Sequence, residues 1–333
     1  MKAAIWKDIS VFELEEVPEL QPRPDQVKVK IAYCGICGSD PHIVEGRLPI
    51  AGKPPRIIGH EASGTIVEVG SDVRRYQGGQ RVAVNYIAYC GACYYCRNGM
   101  EHFCENPLFS AKSFAEYAVF KEDSVFLLPD NVSLEEAAFT EPLSVALHAI
   151  DVANIHPGSS VAIFGAGPIG LLLLQLAIRS GATTTLVSEP VAGKRELAKR
   201  LGADVVVDPF NENLEEISKQ LTESRGFDTI LEASGSMAAA RQAIFLVDNC
   251  GTVLWFGVYP VDGEIGVPPY YLYAKELTIR SIVRSPYTFP RAIALLSKLE
   301  LKPLISDIIP LKDIGKAFDL HKEGKAVKIL IKP

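Results

Sequence analysis

Four cysteines, Cys90, Cys93, Cys96 and Cys104, follow the spacing C-x2-C-x2-C-x7-C in a polar, glycine-containing stretch. Four thiolates so spaced can close a tetrahedron around zinc, and a closed all-thiolate site is structural. It would hold a loop that has little core of its own. A second set of donors is scattered. Cys37 sits in C-G-I-C-G-S-D-P-H (34–42) with Ser39 and His42 close behind, and Gly59-His60-Glu61 follows. Cys34 and Cys37 also make a C-x2-C, but Cys34 ends the alternating run VKVKIAY and reads as buried and inert, which leaves Cys37 as the ligand. A His beside a Glu just before a strand suits a metal ligand with a carboxylate neighbour; a core histidine bonded to that Glu is the other reading. Glu141 precedes Pro142, a residue well placed in the first turn of a helix. There its carboxylate either serves a site or caps the helix dipole. His148 reads as a packed helix residue, and Cys250, between apolar runs, as a packed thiol.

Elements must position these side chains, and one stretch organises them. Residues 160–164 form a β-rich run leading into Gly165-Ala166-Gly167-Pro168-Ile169-Gly170, and an apolar, helix-like segment runs on to about Ser180. This is G-x-G-x-x-G between strand and helix. Gly165 makes the tight turn, Gly167 lets the backbone approach a pyrophosphate, and Gly170 lets helix and strand pack closely. The pyrophosphate would rest on the free N–H groups of the helix N-terminus. A second strand, 183–188, ends at Glu189, where an acid can accept both hydroxyls of an adenosine ribose. Upstream, residues 1–33 read as strands broken by Pro18, Pro22 and Pro24, with Val27–Tyr33 a half-buried strand. Glycines after it place Cys37, Ser39 and His42 at a strand-to-turn edge.

The totals exclude several classes. The chain has 333 residues, 22% charged and 48% hydrophobic, an ordinary globular composition of a length that suggests two domains. A net charge of −6 without a basic cluster argues against nucleic acid as a partner. The most apolar segment, 162–178, holds three glycines, a proline and Gln175, and reads as a buried strand and helix, not a membrane span. The N-terminal residues lack the apolar core of a signal peptide. Seven cysteines, an odd number, favour thiols and metal ligands over disulfides, and a cytoplasmic setting follows.

Taken together, these residues resemble the zinc-dependent medium-chain dehydrogenase family, from about Lys2 to Lys332. The likeness rests on G-H-E-x2-G-x5-G-x2-V (59–73), the four-cysteine lobe and the glycine fingerprint. Within it, C-G-I-C-G-S-D (34–40) and E-P-L-S-V-A-L-H-A (141–149) are similar to the polyol branch, which includes sorbitol, xylitol and butanediol dehydrogenases, with threonine and sugar-alcohol-phosphate dehydrogenases nearby. The resemblance implies an α/β plus β fold. A GroES-like β domain (1–143 and 285–333) carries an inserted, doubly wound parallel Rossmann domain (144–284), with the active site in the cleft between them. It also implies a homodimer or homotetramer, NAD, and two zincs per subunit. The catalytic zinc would be held by Cys37, His60 and Glu141, with Glu61 beside it and able to trade places with Glu141; the structural zinc would be held by the four cysteines of the lobe. Ser39 and His42 match a proton relay, Arg284 a basic residue near the nicotinamide ribose and substrate, and Lys194 a partner of Glu189. Two features depart from the pattern: the segment between Cys104 and Phe114 is short, and Glu189 replaces the commoner Asp.

The activity implied is oxidation of a secondary alcohol of a polyol or vicinal diol to the ketone. L-threonine 3-dehydrogenase, or a dehydrogenase of an anionic polyol, is the alternative, since Arg47, Lys53 and Arg56 precede Gly59. A zinc-binding scaffold with a vestigial nucleotide fold is the non-enzymatic alternative.

Overall fold

The computed structural model describes residues 1–48 and 52–333. The chain divides into two compact units: Met1–Ser144 with Ser285–Pro333, and Val145–Arg284.

The second unit is a six-stranded, wholly parallel sheet. Its strands in chain order are Ser160–Phe164, Thr184–Ser188, Val205–Val207, Phe227–Glu232, Val247–Trp255 and Thr278–Ser281, arranged 3-2-1-4-5-6 across the sheet. Runs such as VAIF in the first strand are buried throughout, because helices cover both faces of a parallel sheet. The C-terminal ends lie in register: Phe164 faces Ser188 on one side and Glu232 on the other, and Glu232 faces Trp255. Ligand-binding loops leave from that edge in doubly wound folds.

Cys250 is not the packed thiol that its apolar flanks suggest. Phe227 pairs with Val247 but Thr229 with Thr252, so residues 248–251 are looped out of the register. The irregularity turns Cys250 outward, exposed at φ +58°, with its thiol 3.7 Å from Glu276 Oε2.

The first unit is built on a seven-stranded sheet. Along its main path lie Ile305–Pro310, Lys328–Lys332, Gln26–Gly35, Glu61–Val69, Arg81–Val84 and Val125–Leu127, with Tyr117–Lys121 also paired to Gln26–Gly35. Val27, Val29, Ile31, Ile66, Val82, Phe120, Ile329 and Ile331 form its core. Gln26–Gly35 is not simply half-buried. Lys28, on its polar face, is itself buried; its amine lies over the Tyr117 ring, 5.4 Å from the centroid, and reaches Glu19 at 2.7 Å and Glu68 at 3.5 Å. Among the described residues no helix is long and apolar enough to cross a membrane.

Candidate active site and nucleotide loop

In the first unit the strand carrying Cys34 ends at Gly35, and a short helix, Ser39–Val44, starts where a turn alone was expected. Asp40 N–H donates to the Cys37 carbonyl, and Pro41 supplies a helix-ready φ in the first turn. Cys37 therefore sits at the mouth of the helix, with Ser39 in its first turn and His42 half-buried beyond.

Across the sheet, Glu61 pairs with Gly35 at the start of its own strand. A Cβ on Gly35 would fall 2.1 Å from Glu61 Oε2, so only glycine leaves room for that carboxylate. The result is a cluster: donor atoms of Cys37, His60 and Glu61 all lie within 4.8 Å of one another. Cys34 is fully buried outside this cluster, and burial pushes its thiol well up.

Two residues that the sequence reading missed hold the cluster. Asp40 is buried; its Oδ2 accepts the Cys37 N–H at 2.9 Å, while Oδ1 lies 3.6 Å from His60 Nδ1 without a hydrogen bond of its own. A carboxylate behind an imidazole is the usual support of a metal-ligating histidine. Burial opposes a charged His60 ring, but Asp40, Cys37 and Glu141 outweigh it and hold the ring's pKa well above the ordinary range. Lys328 reaches in from the first position of the last strand, Lys328–Lys332: its Nζ lies 2.5 Å from Glu61 Oε2 and 3.0 Å from the Ile36 carbonyl, and both charged side chains are 2% exposed. Asp40 belongs to the quoted C-G-I-C-G-S-D run and could have been singled out there; nothing local marks Lys328.

Glu141 lies in the first turn of the helix Thr140–Ala153, buried, and outside the three-residue cluster. Burial pushes its carboxyl up to about 7, with His60 opposing and Glu61 reinforcing the shift. Ser39 Oγ donates to Cys37 Sγ at 3.2 Å. Among the described residues no hydrogen bond joins Ser39 to His42, whose ring is held below the usual range by burial and then by Arg47. The short segment after Cys104 places Phe109 against Tyr86, whose ring lies 4.9 Å from that of His60. This aromatic wall was not foreseen.

The four cysteines of the lobe form a second cluster, again with donor atoms within 4.8 Å of one another. Cys93 N–H points at Cys90 Sγ (3.4 Å) and Cys90 N–H at Cys104 Sγ (3.3 Å). The N–H groups of Ala92 and Cys93 draw the Cys90 thiol down to about 6, while burial pushes Cys96 up to about 12. Four soft donors so gathered suit zinc, and amide donation to sulfur favours the thiolate form that metal binding needs.

In the second unit Gly165 has φ +96°, and Gly167 caps the helix Pro168–Arg179 with open space where its Cβ would be. A Cβ on Gly170 would fall 1.9 Å from the Gly165 carbonyl oxygen. That cradle fits a pyrophosphate on the helix N-terminus. Glu189 directly follows the second strand, buried; its Oε2 accepts Ala166 N–H at 2.7 Å and its Oε1 accepts Val191 N–H at 2.9 Å. Lys194 is half-buried and its pKa is lowered by burial against the pull of Glu189. Its neighbour Arg195 ties this loop down. Its Nη1 donates to the Glu189 and Pro190 carbonyls at 2.7 Å each and lies 3.1 Å from Asp208. Arg284 lies at the last residue of the unit with φ +56°.

The families described as "Alcohol dehydrogenase GroES-like domain" and "Zinc-binding dehydrogenase" match residues 23–130 and 168–298. Sorbitol dehydrogenase of Bacillus subtilis is 33% identical, covering 100% of this chain and 97% of its own. L-threonine 3-dehydrogenase of Pyrococcus abyssi is 37% identical, covering 96% and 94%. Among solved structures, a zinc-binding dehydrogenase from Sinorhizobium meliloti bound to NADP superposes with a TM-score of 0.92 at 32% identity, covering 100% of this chain and 99% of that one. The chain belongs to the zinc-dependent medium-chain dehydrogenase family, on its polyol branch. It is an alcohol or polyol dehydrogenase of that family.

Proposed function

We propose that this chain oxidises a secondary alcohol of a polyol or vicinal diol to the ketone, using NAD. The observation that carries the reading is the donor set at the candidate active site: one thiolate, one imidazole and the carboxylate of Glu61, with a second carboxylate, Glu141, close enough for their charges to be felt. A zinc held by a single thiolate stays a stronger Lewis acid than one held by two, and it can accept a second substrate oxygen. Bound zinc supplies that acidity, and bound nicotinamide takes up hydride. The protein does the rest. Cys37, His60 and the two glutamates would hold the metal, Asp40 anchors the Cys37 N–H and supports the His60 ring by its charge, and Lys328 fixes Glu61. The Ser39 hydroxyl, which lies against Cys37 Sγ, passes on the alcohol's proton. Gly165–Gly170 seat the pyrophosphate, and Glu189 accepts the ribose hydroxyls. The four-cysteine lobe holds a structural zinc.

Glu189 favours NAD, because a carboxylate repels a 2′-phosphate; NADP in the relative's structure makes this worth measuring. L-threonine is the second reading, favoured by the 37% identity to a threonine dehydrogenase. An anionic substrate held by the basic loop is less well supported, since Arg47 is already paired with Glu45 and the centre of that loop, 49–51, lies outside the described residues. A cytoplasmic homodimer or homotetramer belongs to the same proposal, supported by seven free thiols and by exposed Tyr270, Tyr273 and Val261.

The test is kcat/KM over polyols, vicinal diols, primary alcohols and L-threonine, with NAD and with NADP. Polyols or diols should exceed primary alcohols by at least about tenfold, or roughly 1.4 kcal/mol of transition-state stabilisation. A preference for L-threonine would replace the polyol reading. Equal use of NADP would remove Glu189 as the selector.

A further inference from the structure

Glu232 is a wholly buried carboxylate (0% exposed) that none of the roles above employs. It ends the fourth strand of the second unit, directly beside Phe164 and so beside the glycine loop. Strands one and four are where the sheet order reverses, and a dinucleotide lies across that point with its two halves on opposite sides. Glu189, at the end of strand two, marks the adenosine side. Glu232 stands on the other.

Every acceptor of Glu232 is used to tie loops together. Oε1 accepts the N–H of Ser234 at 2.8 Å and the Ser234 hydroxyl; Oε2 accepts the phenol of Tyr259. Its backbone carbonyl takes the N–H groups of Phe256 at 2.8 Å and Gly257 at 3.1 Å. The loop after strand four is thereby joined to the loop after strand five. The glycine loop is in contact with the first of these: a Cβ on Gly165 would fall 3.0 Å from the Ser234 backbone. Gly257 is compelled by the same crowding, since its Cβ would lie 2.5 Å from Gly235 and 2.8 Å from Glu232 Oε2. Burial and the bond to Glu232 both raise the phenol's pKa, so Tyr259 remains the donor.

We infer that Glu232 and Tyr259 are positioning residues for the nicotinamide-nucleoside half of the cofactor. They fix the two loops on which that half rests and leave the adenosine half to Glu189. The inference rests on the nucleotide reading proposed above.

The experiment titrates the zinc-loaded protein with NADH, by fluorescence, and with ADP, by calorimetry. Tyr259→Phe removes one donor from a buried carboxylate and should weaken NADH about tenfold, while ADP affinity stays within about twofold. Glu232→Gln, which keeps the shape and one acceptor, should weaken NADH in the same direction with ADP again unaffected. Unchanged ADP binding also reports that the unit is folded in each variant. Equal losses for NADH and ADP, or no loss of NADH in either variant, would overturn the inference. If the unaltered protein bound neither NADH nor ADP, the nucleotide reading itself would fall, and this inference with it.

Discussion

Replacing Lys328 by Met tests the support of the candidate active site without touching a proposed metal ligand. Lys328 and Glu61 meet at 2.5 Å with both side chains 2% exposed. Removing one partner of a buried ion pair costs about 3–5 kcal/mol, because the other charge is left without compensation in a poorly polarisable interior. The amine's second acceptor, the Ile36 carbonyl, is orphaned as well. In a folded unit of roughly 200 residues each kcal/mol shifts Tm by about 2–4 °C, so the full effect is about 6–20 °C. Glu61 shares a cluster with Cys37 and His60, and a bound zinc can absorb part of the freed charge, so the lower end is the figure to test. Scanning calorimetry at one fixed scan rate should show the first transition to lose at least about 6 °C. Adding Glu61→Gln should restore most of it, since a neutral pair of similar volume is tolerated where an unpaired ion is not. A single variant melting within 2 °C of the parent, or a double variant no better than the single, would refute the reasoning.

Two further outcomes follow from the metal clusters. Cys93→Ser should lower zinc content by one equivalent per chain and depress Tm, since a structural zinc contributes folding energy directly; retention of both zinc and Tm would remove the lobe as a zinc site. Glu141→Ala should lower zinc occupancy and turnover together; if the residue only caps its helix, the loss is about 0.3–1 kcal/mol of stability with metal and kcat intact.

Features written in consecutive residues were legible in the sequence. The glycine fingerprint, the strand before it and the acid after it are one βαβ unit whose spacing is set by local geometry. The cysteine lobe is likewise a single loop. Side chains recruited from far away were not. Lys328 is separated from Glu61 by 267 residues, and a lysine heading the apolar strand KILIK looks like any strand-edge cation. Arg195 was not singled out because its partners, the Glu189 and Pro190 carbonyls, are backbone atoms that no residue type announces. Alternation misjudged Lys28, since a strand paired on both edges buries even its polar face when counter-charges are at hand. Apolar flanks misjudged Cys250, because residues 248–251 loop out of the pairing and leave the alternation that would bury its thiol.

The strand Lys328–Lys332 lies between Ile305–Pro310 and Gln26–Gly35, with Leu330 facing Gly35. The whole of Val145–Arg284 is made between the two halves of that pairing. A growing chain on the ribosome therefore completes the surroundings of its two candidate metal clusters at very different times. The cysteine lobe has all its thiols as soon as Cys104 has emerged, and it can bind an ion while most of the protein is still unmade. The inserted sheet, self-contained, can fold next, as units generally do during synthesis. Cys37, His60 and Glu61 are present from early on, but Glu61 has no lysine to meet until residue 328 leaves the exit tunnel. A chain halted between residues 284 and 328 carries a complete nucleotide fold, while its Cys37, His60 and Glu61 cluster still has an unbalanced negative charge.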